Sequence, residues 1–112
     1  MAIDRLKTGL WVQAQVRLCG IKNIPIYVLR SGDDDAGALI LKISPMDGTC
    51  RLYMQVRAPS GEIAWTIAGA EARMAEADAA AYLARQLNID PDIWIIEIED
   101  ADGRYRLDGA LL

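Results

Sequence analysis

The stretch Asn88-Ile-Asp-Pro-Asp-Ile-Trp-Ile-Ile-Glu-Ile-Glu-Asp-Ala-Asp-Gly-Arg-Tyr-Arg-Leu-Asp108 constrains the fold more than any other part of the chain. Asn88 is a helix stop. Asp90-Pro91-Asp92 is a corner in which the aspartate caps the turn and the proline sets its φ. An apolar strand follows from Ile93 to Glu99. Asp100-Ala-Asp-Gly103 is a hairpin turn, and Arg104–Leu107 returns as a short partner strand. Along Ile93–Glu99, Trp94, Ile96 and Ile98 share one face. Ile93, Ile95, Glu97 and Glu99 share the other, which begins apolar and ends acidic. In that register Arg104 or Arg106 stands opposite Glu97 or Glu99. This fixes an α-to-β architecture in the C-terminal third. It fixes no reaction.

The N-terminal segment carries two periods at once. Leu10, Val12, Ala14, Val16 and Leu18 alternate as in a strand, while Trp11, Ala14, Leu18 and Ile21, with Leu10 alongside, recur at helical spacing. The punctuation favours the helix. Thr8 can cap its start, Asn23 can take the left-handed conformation at its end, and Pro25 lies just beyond. The reading is therefore a helix from about Gly9 to Lys22, followed by a strand over Ile26–Arg30.

The middle reads as a meander. Ala38–Ile43 is a nearly continuous apolar run, hence a strand buried on both faces. Met46–Thr49 is a turn with an Asp-Gly pair. Cys50–Arg57 places Leu52, Met54 and Val56 on one face and Arg51, Tyr53, Gln55 and Arg57 on the other. Pro59–Gly61 turns the chain, and Glu62–Ile67 is another strand, with Ile63, Trp65 and Ile67 together. From about Ala72 to Leu87 the composition is helical, with Ala80, Leu83, Ala84 and Leu87 on one stripe. The terminal Gly-Ala-Leu-Leu112 reads as a frayed end or a small apolar plug.

The fold class is therefore α+β: helix, four-strand meander, helix, C-terminal β-hairpin. It forms one mixed or mostly antiparallel sheet with helix packing on it. The alanine stripe of the second helix is expected on the Ile63/Trp65/Ile67 and Trp94/Ile96/Ile98 faces. At 112 residues, 53% hydrophobic and 25% charged, the expectation is a single domain over 1–112. No apolar run has transmembrane length, and the Met-Ala start carries neither a signal-peptide nor a myristoylation pattern. Cys19 and Cys50 form no CxxC pair and suit a reducing compartment. The expected location is the cytoplasm.

Charge is uneven. Residues 1–58 hold eight basic and five acidic side chains, while residues 59–112 hold four and eleven, giving the net −4. An acidic C-terminal half argues against sequence-independent nucleic-acid binding, which depends on neutralising phosphates.

Four pieces together carry a resemblance: Arg5-Leu-Lys-Thr-Gly-Leu-Trp-Val-Gln-Ala14, Gly32-Asp-Asp-Asp-Ala-Gly-Ala-Leu-Ile-Leu-Lys42, Asp47-Gly-Thr49 and Asp90-Pro-Asp-Ile-Trp-Ile-Ile-Glu-Ile-Glu-Asp100. Taken in order over nearly the whole chain, they resemble the family of small alphaproteobacterial proteins known as domain of unknown function 1491. The resemblance implies a bacterial, stand-alone domain. It implies no activity, and it carries over no catalytic residue.

Histidine is absent. That removes Ser-His-Asp and Cys-His arrangements, the usual general base, and nearly all zinc sites. No GxGxxG, GxxxxGK[ST] or GxSxG element is present, and no motif calls for a cofactor. Carboxylates remain. Asp33, Asp34 and Asp35 on the Ser31–Gly37 loop are oxygen ligands suited to a hard cation. Asp90 and Asp92 could complete the set, with Lys42 neutralising a phosphate. This is the enzymatic alternative: metal-dependent hydrolysis of a phosphate ester. The bland reading is that Asp and Gly are turn formers. The favoured function is non-catalytic, through a protein partner or self-association, with no nucleic acid and no membrane. Open sheet edges accept added strands.

Overall fold

The computed structural model describes residues 7–69 and 71–112. Met1-Ala2 and the Arg5-Leu6 start of the first resemblance piece lie outside the described residues. The elements are α1 (Thr8–Lys22), β1 (Ile26–Arg30), β2 (Leu39–Ser44), β3 (Thr49–Arg57), β4 (Ile63–Ile67), β5 (Met74–Ala75), α2 (Glu76–Ile89), β6 (Trp94–Glu99) and β7 (Ala110–Leu111). The class is α+β, with a mixed sheet between two helices.

The apolar run Leu39-Ile-Leu41 is fully buried, as a central strand requires. The sheet order is β1-β6-β2-β3-β4-β7, with β5 pairing beside the start of β3. The meander is therefore β2-β3-β4 alone. β6 separates β1 from β2, antiparallel to the first and parallel to the second. The reason lies in β6 itself. Ile93 and Ile95 are as buried as Trp94, Ile96 and Ile98. A strand apolar on both faces belongs inside a sheet, not in an edge hairpin.

The two faces of β6 feed two cores. Trp94, Ile96 and Ile98 join Leu39, Leu41, Tyr53 and Trp65 under α1. Ile93 and Ile95 join Ile40, Leu52, Ala79 and Leu83 under α2. The second helix thus packs on the face opposite the one expected. Its buried line is Ala79 and Leu83 with Tyr82 and Leu87 beside them, while Ala80 and Ala84 are exposed. Its start is also later than composition suggested. Met74 and Ala75 pair with Cys50 and Thr49, and the Glu76 N–H bonds to the Gly48 carbonyl before the helix begins.

The first helix is confirmed, and its end is as read. Asn23 sits at φ 57°, and the Ile24 N–H closes on the Cys19 carbonyl. Its start differs. Thr8 is already helical, and its hydroxyl donates to the Gly37 carbonyl at 2.8 Å. The buried line is Thr8, Trp11, Val12, Gln15 and Cys19. Of the anticipated apolar stripe only Trp11 is buried; Leu10, Ala14, Leu18 and Ile21 face outward.

The expected C-terminal hairpin does not form. Residues 104–107 are not strand. Asp100 holds the turn instead, accepting from the Arg104 N–H at 2.9 Å and the Tyr105 N–H at 2.8 Å. The chain then crosses over the α1 side of the sheet. Tyr105 donates to Gln15 Oε1 at 2.9 Å, which explains a polar residue on the buried line of α1. Asp108 receives two indoles: Trp11 Nε1 at its carboxylate, 3.2 Å, and Trp65 Nε1 at its carbonyl, 2.9 Å. Ala110–Leu111 finally pairs parallel with β4. The arginines therefore miss the expected glutamates. Arg104 donates to the Lys22 and Asn23 carbonyls, and Arg106 to those of Gly103 and Tyr105.

Candidate functional site

Backbone bonds join the two acidic loops. The Asp33 N–H donates to the Asp92 carbonyl at 3.0 Å, and Trp94 Nε1 donates to the Asp33 carbonyl at 2.7 Å. Glycine permits the closeness. A side chain at Gly32 would run into the Asp92 carbonyl oxygen, and one at Gly37 would meet the Asp33 backbone and the Trp94 ring. The carboxylates, however, serve local turns. Asp33 Oδ2 accepts from the Ala36 N–H at 3.0 Å, and Asp90 Oδ1 accepts from the Asp92 N–H at 3.0 Å. Asp35 pairs with Lys7 at 3.4 Å, and Asp34 lies against Gly9. Asp92 enters through its backbone. Among the described residues, no group of three or more His, Cys, Asp or Glu stands where it could hold a metal ion. The loops act together as a clasp on the Trp94 edge.

Lys42 is elsewhere and is occupied. It is 9% exposed, and its ammonium lies 2.6 Å from Glu76 Oε2 and 3.0 Å from Glu97 Oε2. Glu97 is its register partner across β2 and β6, and Glu76 is the first residue of α2. Ser44 Oγ donates to Glu76 Oε1 at 3.3 Å. Burial pulls the Lys42 pKa down, but the bonds to Glu76 and Glu97 outweigh it, and the net shift is upward from 10.5. The amine is therefore held as a cation between the two carboxylates. Nearby Cys50 is held as a thiol: burial raises its pKa first, and the Glu76 charge raises it further. The cluster's work is to pin α2 to β2 and β6. A sequence signal existed: a lysine inside the apolar Ala38–Ile43 run demands a carboxylate, and Glu97 is the acid inside the other apolar run.

The third feature is the outer edge of the sheet. β1 contributes Tyr27, Val28 and Leu29, exposed by 48%, 42% and 50%. Val28 shares an apolar groove with Val12 and Val16 of α1 and with Trp94. On the other face, Tyr27 bonds to Glu99, and that bond leads the causes that raise the phenol pKa. The register against β6 shifts between Val28 and Arg30, so Arg30 stands opposite Ile95 and shares its face. No ion pair holds Arg30 among the described residues. All three tryptophans, by contrast, are core residues.

Fold and site define a class: a small α+β protein, a sheet between two helices, with one apolar edge strand whose outer side no other strand pairs among the described residues. The chain belongs to the DUF1491 family, described as a protein of unknown function, whose model matches residues 6–108. It is similar to the crystal structure of a DUF1491 family protein from Caulobacter crescentus, at TM-score 0.81 and 37% identity over 96% of this chain and 99% of that one. An NMR structure of a DUF1491 family protein from the same organism gives 0.79 and 36%, over 98% and 99%. The solution structure of protein Atu0922 from A. tumefaciens gives 0.71 and 26%, over 86% of each chain. No curated protein matches. Among the described residues, no helix is long and apolar enough to cross a membrane.

Proposed function

We propose that this chain is a single-domain cytoplasmic binding module that acts by pairing with a second copy of itself along β1. The observation that carries the reading is the open edge strand with three exposed large apolar side chains in a row, Tyr27, Val28 and Leu29. Edge strands are ordinarily blunted by charge, by extreme shortness, by a bulge or by a covering element; β1 has the register shift after Val28, but its Ile26–Val28 half pairs regularly. The opposite edge, β7, is two residues long. β1 is five residues long and holds its single charge at its last position.

The occupant follows from the symmetry of the edge. Antiparallel pairing about a two-fold axis at Val28 sets Tyr27 against the partner's Leu29 twice and joins the two α1 grooves at Val28. It also carries each unpaired Arg30 to the end of the other strand, where Glu99 sits beside Tyr27, so the charges are complementary. Two free, buried cysteines suit a reducing compartment.

Sedimentation equilibrium tests the pairing. The 12.3 kDa chain is expected at about twice its own mass. Val28→Lys, at a position 42% exposed and checked for an unchanged thermal transition, is expected to sediment as a monomer. A monomeric parent protein overturns the reading.

Metal-assisted hydrolysis at Asp33, Asp34, Asp35, Asp90 and Asp92 is the second reading. The backbone bond between the two loops favours it. The carboxylates bonded into their own turns, Asp33 and Asp90, and the Lys7 pair of Asp35 weigh against it.

A further inference from the structure

We propose that the cavity between the start of β3 and the 100–107 segment binds a phosphate monoester carried on a flat apolar body. Its volume is about 370 Å³, within the range of small-ligand sites. Three arginines line it from three separate stretches of chain: Arg51 on β3, Arg73 just before β5, and Arg106 on the C-terminal crossing. In a chain of net charge −4, whose C-terminal half is strongly acidic, three arginines lining one cavity are out of keeping with the surface at large, even with Arg73 paired to Asp47.

Two of the three are already positioned. Arg73 bonds to the Asp47 carboxylate through Nη2 and donates from Nε to Thr49 Oγ1 at 3.0 Å. Arg106 donates from Nη1 to the Gly103 and Tyr105 carbonyls at 2.7 and 3.2 Å. Guanidinium groups held this way lose little freedom when they grip an anion. Arg51 stands in register opposite Ile43 and makes no ion pair among the described residues. It is the cation free to take a new partner. Asp100 is the one carboxylate in the lining, and both its oxygens already accept backbone N–H groups.

The chemistry of the ligand follows from the arrangement. Arginines supplied by three separate stretches of chain suit a dianion with three terminal oxygens, which accepts from several donors at once, better than a monoanionic carboxylate. Ile43, Pro45, Tyr53, Tyr105 and Leu107 supply apolar and aromatic parts of the lining, which suit a flat body attached to the phosphate.

Calorimetric titration with phenyl phosphate, inorganic phosphate and phenol tests the inference. Phenyl phosphate is expected to bind saturably at one site, inorganic phosphate more weakly, and phenol not at all. Arg51→Gln and Arg106→Gln, each checked for an unchanged thermal transition, are expected to weaken phenyl phosphate about tenfold or more, the scale of one lost charge-assisted hydrogen bond. Absence of saturable binding, or both variants binding as the parent does, overturns the proposal. Equal affinity for inorganic phosphate and phenyl phosphate overturns its assignment of an apolar body. None of these outcomes depends on pairing along β1.

Discussion

Replacing Lys42 with methionine probes the sheet where its packing and its electrostatics meet. Methionine keeps the length and apolar stem of the lysine, so it leaves little cavity. It removes the cation between Glu76 and Glu97, which bind the ammonium from 2.6 and 3.0 Å. The two carboxylates are then left facing each other, no farther apart than the sum of those distances. At an effective dielectric near 20, two like charges at that range repel by about 3 kcal/mol. Breaking a buried ion pair from one side costs about 3–5 kcal/mol. Glu76 keeps access to water, which favours the low end, so the expected loss is about 3 kcal/mol. Urea denaturation at neutral pH reads it directly. Two controls separate charge from packing. The triple variant Lys42→Met, Glu76→Gln, Glu97→Gln removes the stranded charges and is expected to regain most of the loss. The double variant Lys42→Met, Glu76→Gln leaves a single carboxylate and is expected to regain part of it. A loss under about 1 kcal/mol, or a triple variant no better than the single one, would refute the claim that Lys42 holds a stranded acidic pair.

Other outcomes follow from the same structure. Trp94→Ala removes a buried indole and its bond to the Asp33 carbonyl, leaving that carbonyl the Gly37 N–H alone, and is expected to lower stability by roughly 3–5 kcal/mol in chemical denaturation. Asp108→Ala frees the Trp11 indole N–H but leaves the backbone bond to Trp65, so its expected cost is smaller, about 1–2 kcal/mol in the same assay. Stability should fall at both ends of the pH scale. The Lys42 contribution is complete below its ordinary 10.5 and is lost as pH rises through the higher folded value. The Asp47 carboxyl is lowered, first by its bonds to Thr49 and then by Arg73. Its contribution is present above 3.8 and is lost as pH falls through the folded value. Calorimetry with Mg²⁺, Mn²⁺ and Ca²⁺ is expected to give no micromolar binding. Such binding, abolished by Asp33→Asn or Asp35→Asn, would favour the hydrolytic reading.

Some of this was legible in the residues and some was not, for definite reasons. Asn23 and Pro25 located the end of α1, because a left-handed stop followed by a proline is local chemistry. The side of α1 that is buried was not legible. Leu10, Leu18 and Ile21 are as apolar as anything in the core, and only the polar Gln15, matched to distant Tyr105, marks the buried line. Likewise Asp-Gly at 102–103 is a good turn signal, yet Asp100 caps its own loop and sends the chain across the sheet rather than back along β6. The acidic loops looked like ligands because three adjacent aspartates are unusual. The flanking Gly32 and Gly37, which allow that loop to close on Trp94, were the better clue to its role. The arginine-lined cavity was beyond reach, since only the tertiary fold brings Arg51, Arg73 and Arg106 to one cavity.

Isotope-filtered NMR on a mixture of labelled and unlabelled chains tests the pairing along β1 most directly. The account predicts intermolecular contacts between the Tyr27 ring and the Leu29 methyl groups, together with contacts from Val28 to Val28, all lost in Val28→Lys. A self-associating sample whose intermolecular contacts arise elsewhere, or a sample with none, would contradict it.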